Sequence, residues 1–233
     1  MDYSRKYKHI FFDLDRTLWD FEQNMRETLV SLYERHNLSR YIPDSRTFQD
    51  TFNKHNDRLW SSYRRGEIRK DILRVKRFDL TLRDFGLNSM DLALVIGDEY
   101  VAEGPTRTAL VPHAVEVLDY LKPKYKLHII TNGFNETQFR KLRLCGIEGY
   151  FDCVVTSEMS GAHKPQNRAF SHPLSLAGAL RGESLMVGDD LQIDIIGAMQ
   201  FGIDQVYFNP KSSPHSLSVT HEVRTLLELK EIL

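Results

Sequence analysis

Five short apolar runs, each passing straight into polar residues, most constrain what this chain can fold into. They are HIFFDLD at 9 to 15, KLHIITNG at 126 to 133, DCVVTS at 152 to 157, SLMVGDD at 184 to 190 and QVYF at 205 to 208. Runs of this length, rich in β-branched and aromatic residues, predict strands buried on both faces. Between the later runs lie amphipathic segments of helical length, such as Asn135 to Leu144 and Asp194 to Phe201. Strand alternating with helix is the pattern of a parallel sheet covered on both sides, so the sequence predicts an α/β fold.

The stretch from about Phe21 to Glu103 has a different rhythm. Its apolar residues recur every three or four positions, with Met25, Leu29, Leu32 and Tyr33 on one stripe and Ile72, Val75, Phe78 and Leu82 on another. This predicts an all-helical cap domain inserted after the first strand. Glu103-Gly104-Pro105 breaks its last helix, and Pro112 precedes the next helical pattern. The expected division is a core of 1–18 and 106–233 with a cap of 19–105. Past the last run, Asn209 to His215 predicts a surface loop, and Val223, Leu226, Leu227 and Leu229 a short docking helix.

At 233 residues one core and one small further domain are within reach. Lys and Arg number 31 against 32 Asp and Glu, so no global field recruits a nucleic-acid polymer or an acidic membrane. The opening MDYSRKYKH lacks the apolar stretch of a secretory signal, and no run approaches the roughly 18 apolar residues of a membrane span. A cytoplasmic protein is the expectation. Two cysteines, Cys145 and Cys153, build neither a disulfide framework nor a four-thiolate zinc site, and are expected as core thiols. His128 alternates within an apolar strand and is expected to pack there. His113 and His163 border the predicted cleft, and no histidine pair has a metal-ligand spacing such as HExxH.

The chemistry lies where the runs end. Asp13 and Asp15 follow the first strand two residues apart, on one side of the chain, and paired carboxylates need a shared proton or a hard cation. Asp189, with Asp190 and Asp194 nearby, follows Leu185-Met186-Val187-Gly188. In an open parallel sheet the carboxyl ends of neighbouring strands converge on one crevice, which makes Asp13, Asp15 and Asp189 candidate ligands of one Mg²⁺. Thr131-Asn132-Gly133 ends a third strand with a hydroxyl, an amide and an open backbone N–H suited to phosphate oxygens. Lys164, before Pro165, could neutralise a nucleophilic carboxylate and the phosphate it attacks. Taken singly, each motif has an ordinary explanation as a loop-end acid, a turn or a solvated loop.

Taken in order, the four resemble the signature motifs of the haloacid dehalogenase-like hydrolase superfamily, over nearly the whole chain and with a helical insertion after the first. The resemblance implies a Rossmann-like parallel sheet sandwiched by helices and a covalent mechanism. Asp13 would attack phosphorus, and Asp15 would protonate the leaving oxygen and then deprotonate the hydrolytic water. It further implies that Thr131 holds the phosphoryl group, that Lys164 stabilises its charge, and that Mg²⁺ is bound by Asp13, the backbone carbonyl of Asp15, and Asp189. Asp194 would orient Lys164 or a metal-bound water. Two features depart from the pattern. Asp190 adds a carboxylate that could share the metal, and Pro173 predicts a shortened or kinked helix after Lys164.

The acid at Asp15 argues against dehalogenation. No cap lysine, neither Lys54, Lys70 nor Lys76, stands in a motif for Schiff-base phosphonate chemistry. The segments FFDLDRTLWDFEQN, LVPHAVEVLDYL and HIITNGFNETQFRKL resemble the YjjG-type pyrimidine 5′-nucleotidase branch. That implies a small phosphorylated metabolite, a nucleoside 5′-monophosphate, as the partner of a monomer or homodimer. Candidate cap contacts are Trp60, Tyr63, Arg64, Arg74 and Arg77, while Trp19 and Phe21 line the cleft or form the hinge. The alternatives are a sugar-phosphate phosphatase, a phosphomutase of the same chemistry, and an idle binding protein.

Overall fold

The computed structural model describes residues 6–233; residues 1–5 of the polar opening lie outside them. After β1 (His9–Phe12) come four helices, α1 (Phe21–Arg35), α2 (Ser45–Arg64), α3 (Lys70–Asp84) and α4 (Met90–Glu103). The chain continues through α5 (Ala114–Leu121), β2 (Lys126–Thr131), α6 (Asn135–Leu144), β3 (Cys153–Thr156), α7 (Ser157–Ser160) and α8 (Asn167–Ala177). It ends with β4 (Ser184–Gly188), a wide helical turn at Leu191–Ile195, α9 (Ile196–Phe201), β5 (Asp204–Phe208), β6 (His221–Val223) and α10 (Leu229–Ile232).

All strands are parallel, in the order β3-β2-β1-β4-β5-β6. From β1 the chain builds outward through β2 and β3, then crosses back to β4 on the other side of β1. The reversal makes the carboxyl edge beside β1 the crevice of the sheet. The two-residue alternation of strand side chains divides the core. Ile10, Phe12, Leu127, Ile129, Leu185 and Val187 pack with Val117, Leu118 and Leu121 of α5 and Leu142 of α6. On the other face Phe11, Ile130 and Met186 pack with Phe170 and Leu174 of α8 and with Ala198 and Phe201. Each face is sealed by helices, as a parallel sheet requires.

Three local expectations are corrected. Val223 ends β6, paired to β5 through Phe208, instead of opening a docking helix. The helix after Lys164 runs on through Pro173, whose ring is buried on the inner face of α8. Both cysteines are only half-buried free thiols.

Two compact units are distinguished, one running to Phe21 and resuming at Thr108, the other Glu22–Arg107. Their junctions fall slightly further along than 18/19 and 105/106, because Trp19 bridges to Leu110 and Asp20 N–H donates to the Ala109 carbonyl. In the helical unit Met25, Leu29, Leu32 and Tyr33 are buried along α1. On α3 the buried positions are Leu73, Arg77, Phe78, Asp79, Thr81 and Leu82, and Ile72 faces solvent. Phe52, Phe78 and Tyr100 cluster with ring centroids 4.9 to 5.4 Å apart. Asp44 caps α2 by accepting the Thr47 N–H at 2.8 Å. Among the described residues no helix is long and apolar enough to cross a membrane.

Candidate active site

Asp13 leaves β1 with its N–H bonded to the Val187 carbonyl of β4 at 2.9 Å, which fixes its backbone at the sheet edge. Lys164 Nζ, fully buried, lies 2.5 Å from Asp13 Oδ1, 2.8 Å from the Ile130 carbonyl and 2.7 Å from Asp194 Oδ1. The ammonium donates hydrogen bonds to Asp13 and to the Ile130 carbonyl, and the Asp194 carboxylate stands beside it at ion-pair distance. The Lys164 backbone is itself held by Asn132, whose Oδ1 accepts the Lys164 N–H at 2.8 Å and whose Nδ2 donates to the Lys164 carbonyl at 3.1 Å.

Asp13, Asp189 and Asp194 each offer a carboxylate oxygen within 4.8 Å of the other two. Burial, against the pull of Lys164 and reinforced by the charges of Asp194 and Asp15, pushes the Asp13 carboxyl up to about 7. Burial and the neighbouring Asp13 and Asp194 raise Asp189 as well. For Lys164, burial works against the charge, but Asp13 and Asp194 outweigh it and its pKa is raised. So much negative charge gathered around one ammonium would be relieved by a second cation, and an all-oxygen donor set of hard carboxylates fits Mg²⁺.

Several features went unseen in the sequence. Thr17 donates to Asp189 Oδ1 at 3.1 Å. Gly188 permits Asp194 to come close, since a Cβ there would lie 2.4 Å from its Oδ2. Asp190 does not join the acidic cluster; its Oδ1 accepts the N–H groups of Gln192 and Ile193 at 2.9 Å and caps the turn that carries Asp194. Asp15 Oδ1 and Oδ2 are bound by Lys141 and Gln138 of α6. These two share one helix face at i, i+3 spacing, the sole signal that could have marked them. Of the TNG triplet, the Asn132 side chain is spent on Lys164 and the Gly133 N–H on Thr131 Oγ1 at 3.1 Å. The Thr131 oxygen thus accepts from both the Gly133 N–H and Gln138 Nε2.

Of the candidate residues of the helical unit, Trp60, Tyr63, Arg74 and Arg77 have partners within that unit. Trp60 and Tyr63 pack edge to face at 5.7 Å, and Arg74 pairs with Asp98 at 3.2 Å. Arg77 is buried 4.4 Å from the Tyr100 ring centre and bonded to Asn56 at 3.2 Å. Arg64 closes α2, half-buried. Trp19 is buried in the α/β unit and stacks edge to face with Phe21 at 6.2 Å. His128 is packed in the sheet as expected, and His113 opens α5 from a left-handed, exposed position, 3.0 Å from Glu116.

A parallel sheet with a reversal beside β1, and a buried lysine between a carboxylate at the end of β1 and one in the turn before α9, fit a hydrolase of the haloacid dehalogenase-like class. The model of that hydrolase family matches residues 7–202, and the chain belongs to the family. Over 98% of its length it is 29% identical to the HAD-hydrolase YfnB of Bacillus subtilis, covering 96% of that protein. The magnesium-bound crystal structure of YfnB superposes with a TM-score of 0.88, covering 98% of this chain and 99% of that one. Pyrimidine 5′-nucleotidase YjjG of Escherichia coli is 30% identical over 98% of both chains. Pyrimidine 5′-nucleotidase PynA of Streptococcus pneumoniae is 28% identical over 97% of this chain and 95% of its own.

Proposed function

We propose that the chain is a Mg²⁺-dependent phosphomonoester hydrolase that acts through an aspartyl phosphate on Asp13 and prefers pyrimidine nucleoside 5′-monophosphates. The observation that carries the chemistry is Lys164, one buried ammonium bonded to Asp13 and paired with Asp194. The substrate preference rests on the resemblance to YjjG and PynA.

In this reading an Asp13 oxygen forms a bond to phosphorus while the ester P–O bond breaks, and Asp15 gives its proton to the departing alkoxide. Asp15 then takes a proton from water as that water attacks phosphorus, the Asp13–phosphorus bond breaks, and inorganic phosphate leaves. The Thr131 hydroxyl donates to a phosphoryl oxygen. Lys164 keeps Asp13 oriented and balances the charge that accumulates on the equatorial oxygens. Asp13, the Asp15 backbone carbonyl and Asp189 would hold Mg²⁺, which supplies charge neutralisation between carboxylate and phosphate. Asp194 orients Lys164, and Asp190 supports the turn that presents Asp194. The helical unit is the proposed cap and the source of base selectivity, with Trp60, Tyr63 and Arg64 its proposed contacts.

Phosphate release from a panel of nucleoside monophosphates and sugar phosphates, with Mg²⁺ or with chelator, tests the proposal against an Asp13→Asn blank. Metal-dependent release favouring pyrimidine nucleotides is expected. Release favouring sugar phosphates would reject the nucleotidase preference and keep the chemistry. Full activity of Asp13→Asn would reject the mechanism.

A further inference from the structure

Gln138 is wholly buried, and its Nε2 lies 2.9 Å from Asp15 Oδ2 and 2.6 Å from Thr131 Oγ1. Its two amide protons therefore serve two different side chains at the sheet edge. The opposite amide orientation would set Oε1 against a carboxylate, so the donor assignment follows from chemistry. Among the described residues Gln138 Oε1 has no hydrogen-bond partner, so Asp15 and Thr131 fix the amide. Its approach is made possible by Gly133, where a Cβ would fall 2.4 Å from the Gln138 amide carbon.

One turn further along α6, the buried Lys141 places Nζ 2.5 Å from Asp15 Oδ1 and 3.9 Å from the centre of the Trp19 ring. Each oxygen of Asp15 is thus tied to a different side chain, and Trp19 shields the ammonium from one side. A single tether would leave the carboxylate free to rotate about its last bond; two tethers on opposite oxygens fix its plane. On Thr131 the oxygen accepts from Gln138 and from the Gly133 N–H, which occupies both lone pairs and directs the hydroxyl proton elsewhere.

We propose that Gln138 and Lys141 are positioning residues for the reaction. Lys141 fixes the carboxylate plane of Asp15, and Gln138 does so while also setting Thr131 as a hydrogen-bond donor. Neither touches the phosphoryl group. The inference rests on the assignment of Asp15 as the group that moves the proton of the leaving oxygen. Orientation of a proton-transfer group matters only where the step needs a proton. Loss of Lys141 should therefore spare phosphoryl transfer from an ester with an acidic leaving group and slow the steps that need Asp15. Loss of Gln138 should slow both, because Thr131 is released as well.

The test uses p-nitrophenyl phosphate, whose leaving group needs no proton, alongside a nucleoside monophosphate, on the full chain with Mg²⁺. For Lys141→Met, the initial burst of p-nitrophenolate should stay within about threefold of the parent. Steady turnover of the nucleotide should fall at least about tenfold, the low end of an acid–base contribution. Acid-quenched protein should retain more phosphate on Asp13 than the parent does. Gln138→Leu should slow the burst too, and Lys141→Arg should restore most of the nucleotide turnover. If Lys141→Met does not fold, Lys141→Gln carries the same comparison. Equal loss on both substrates without accumulated phosphoenzyme, or parental rates in both variants, would overturn the proposal alone. A parent that forms no phosphoenzyme overturns the assignment of Asp13 and Asp15, and this inference with it.

Discussion

Lys164 and Asp13, 151 positions apart in the chain, meet through a 2.5 Å bond inside the protein. The pair joins the loop after β3 to the end of β1, and Asp194 completes it from the turn before α9. Replacing Lys164 by Met would leave Asp13 and Asp194 buried without their counter-charge. Breaking one side of a buried ion pair typically costs about 3–5 kcal/mol. Lys164→Met should therefore lose both activity and stability, measured by urea unfolding at pH 7. Unchanged stability would mean that the ion pair contributes nothing to the fold.

The crowding of Asp13, Asp189 and Asp194 gives a prediction of the opposite sign. In metal-free buffer Asp189→Asn removes a like charge from the group and should raise the melting temperature, since Thr17 can still donate to the amide oxygen. With Mg²⁺ the ranking should reverse, because the parent gains about 2.7 kcal/mol at a hundredfold excess over Kd and the variant gains less. Equal responses to Mg²⁺ by differential scanning fluorimetry would count against Asp189 as a ligand.

Away from this edge, His9 Nδ1 and His128 Nε2 are 3.0 Å apart, with His128 stacked 4.6 Å from Phe11. Burial, then the neighbouring His9, lowers the His128 pKa from 6.5 to about 4. At this residue the unfolded chain thus binds more protons than the folded one between those values, so the contribution of His128 to stability is complete above pH 6.5 and lost as pH falls toward 4. The loss amounts to about 3 kcal/mol. His128→Phe should flatten the stability profile through that window, and a slope as steep as the parent's would refute the assignment.

Gly188→Ala tests how close the second acidic strand end must come. Its Cβ would overlap the Asp194 carboxylate, which must move and release its hold on Lys164. Overpacking of this kind typically costs about 1–3 kcal/mol. Activity should fall at least about tenfold with the secondary structure intact by circular dichroism, a factor that corresponds to about 1.4 kcal/mol of misplacement.

Much of this was legible in the sequence because the decisive signals are local. The five apolar runs became β1 to β5; Asp13, Thr131 and Asp189 stand where strands end, and Lys164 in the loop between α7 and α8. Gln138, Lys141 and Thr17 were not legible. A long polar side chain on a helix faces solvent by default, and only the packing of α6 against the sheet edge turns Gln138 and Lys141 inward. β6, with three residues, is too short to carry a periodicity, and it exists because β5 offers it an open edge. Arg77, a candidate cap contact in the sequence, is likewise interior.

The strand order has a consequence for synthesis. β1 lies in the middle of the sheet and is synthesised before both its neighbours, β2 and β4, which begin only at Lys126 and Ser184. Until β2 is made His9–Phe12 has no partner on either edge, and a chain stalled before Gly188 would expose it beside an incomplete sheet. Such a nascent chain should depend on a chaperone that shields the N-terminal strand until β4 arrives.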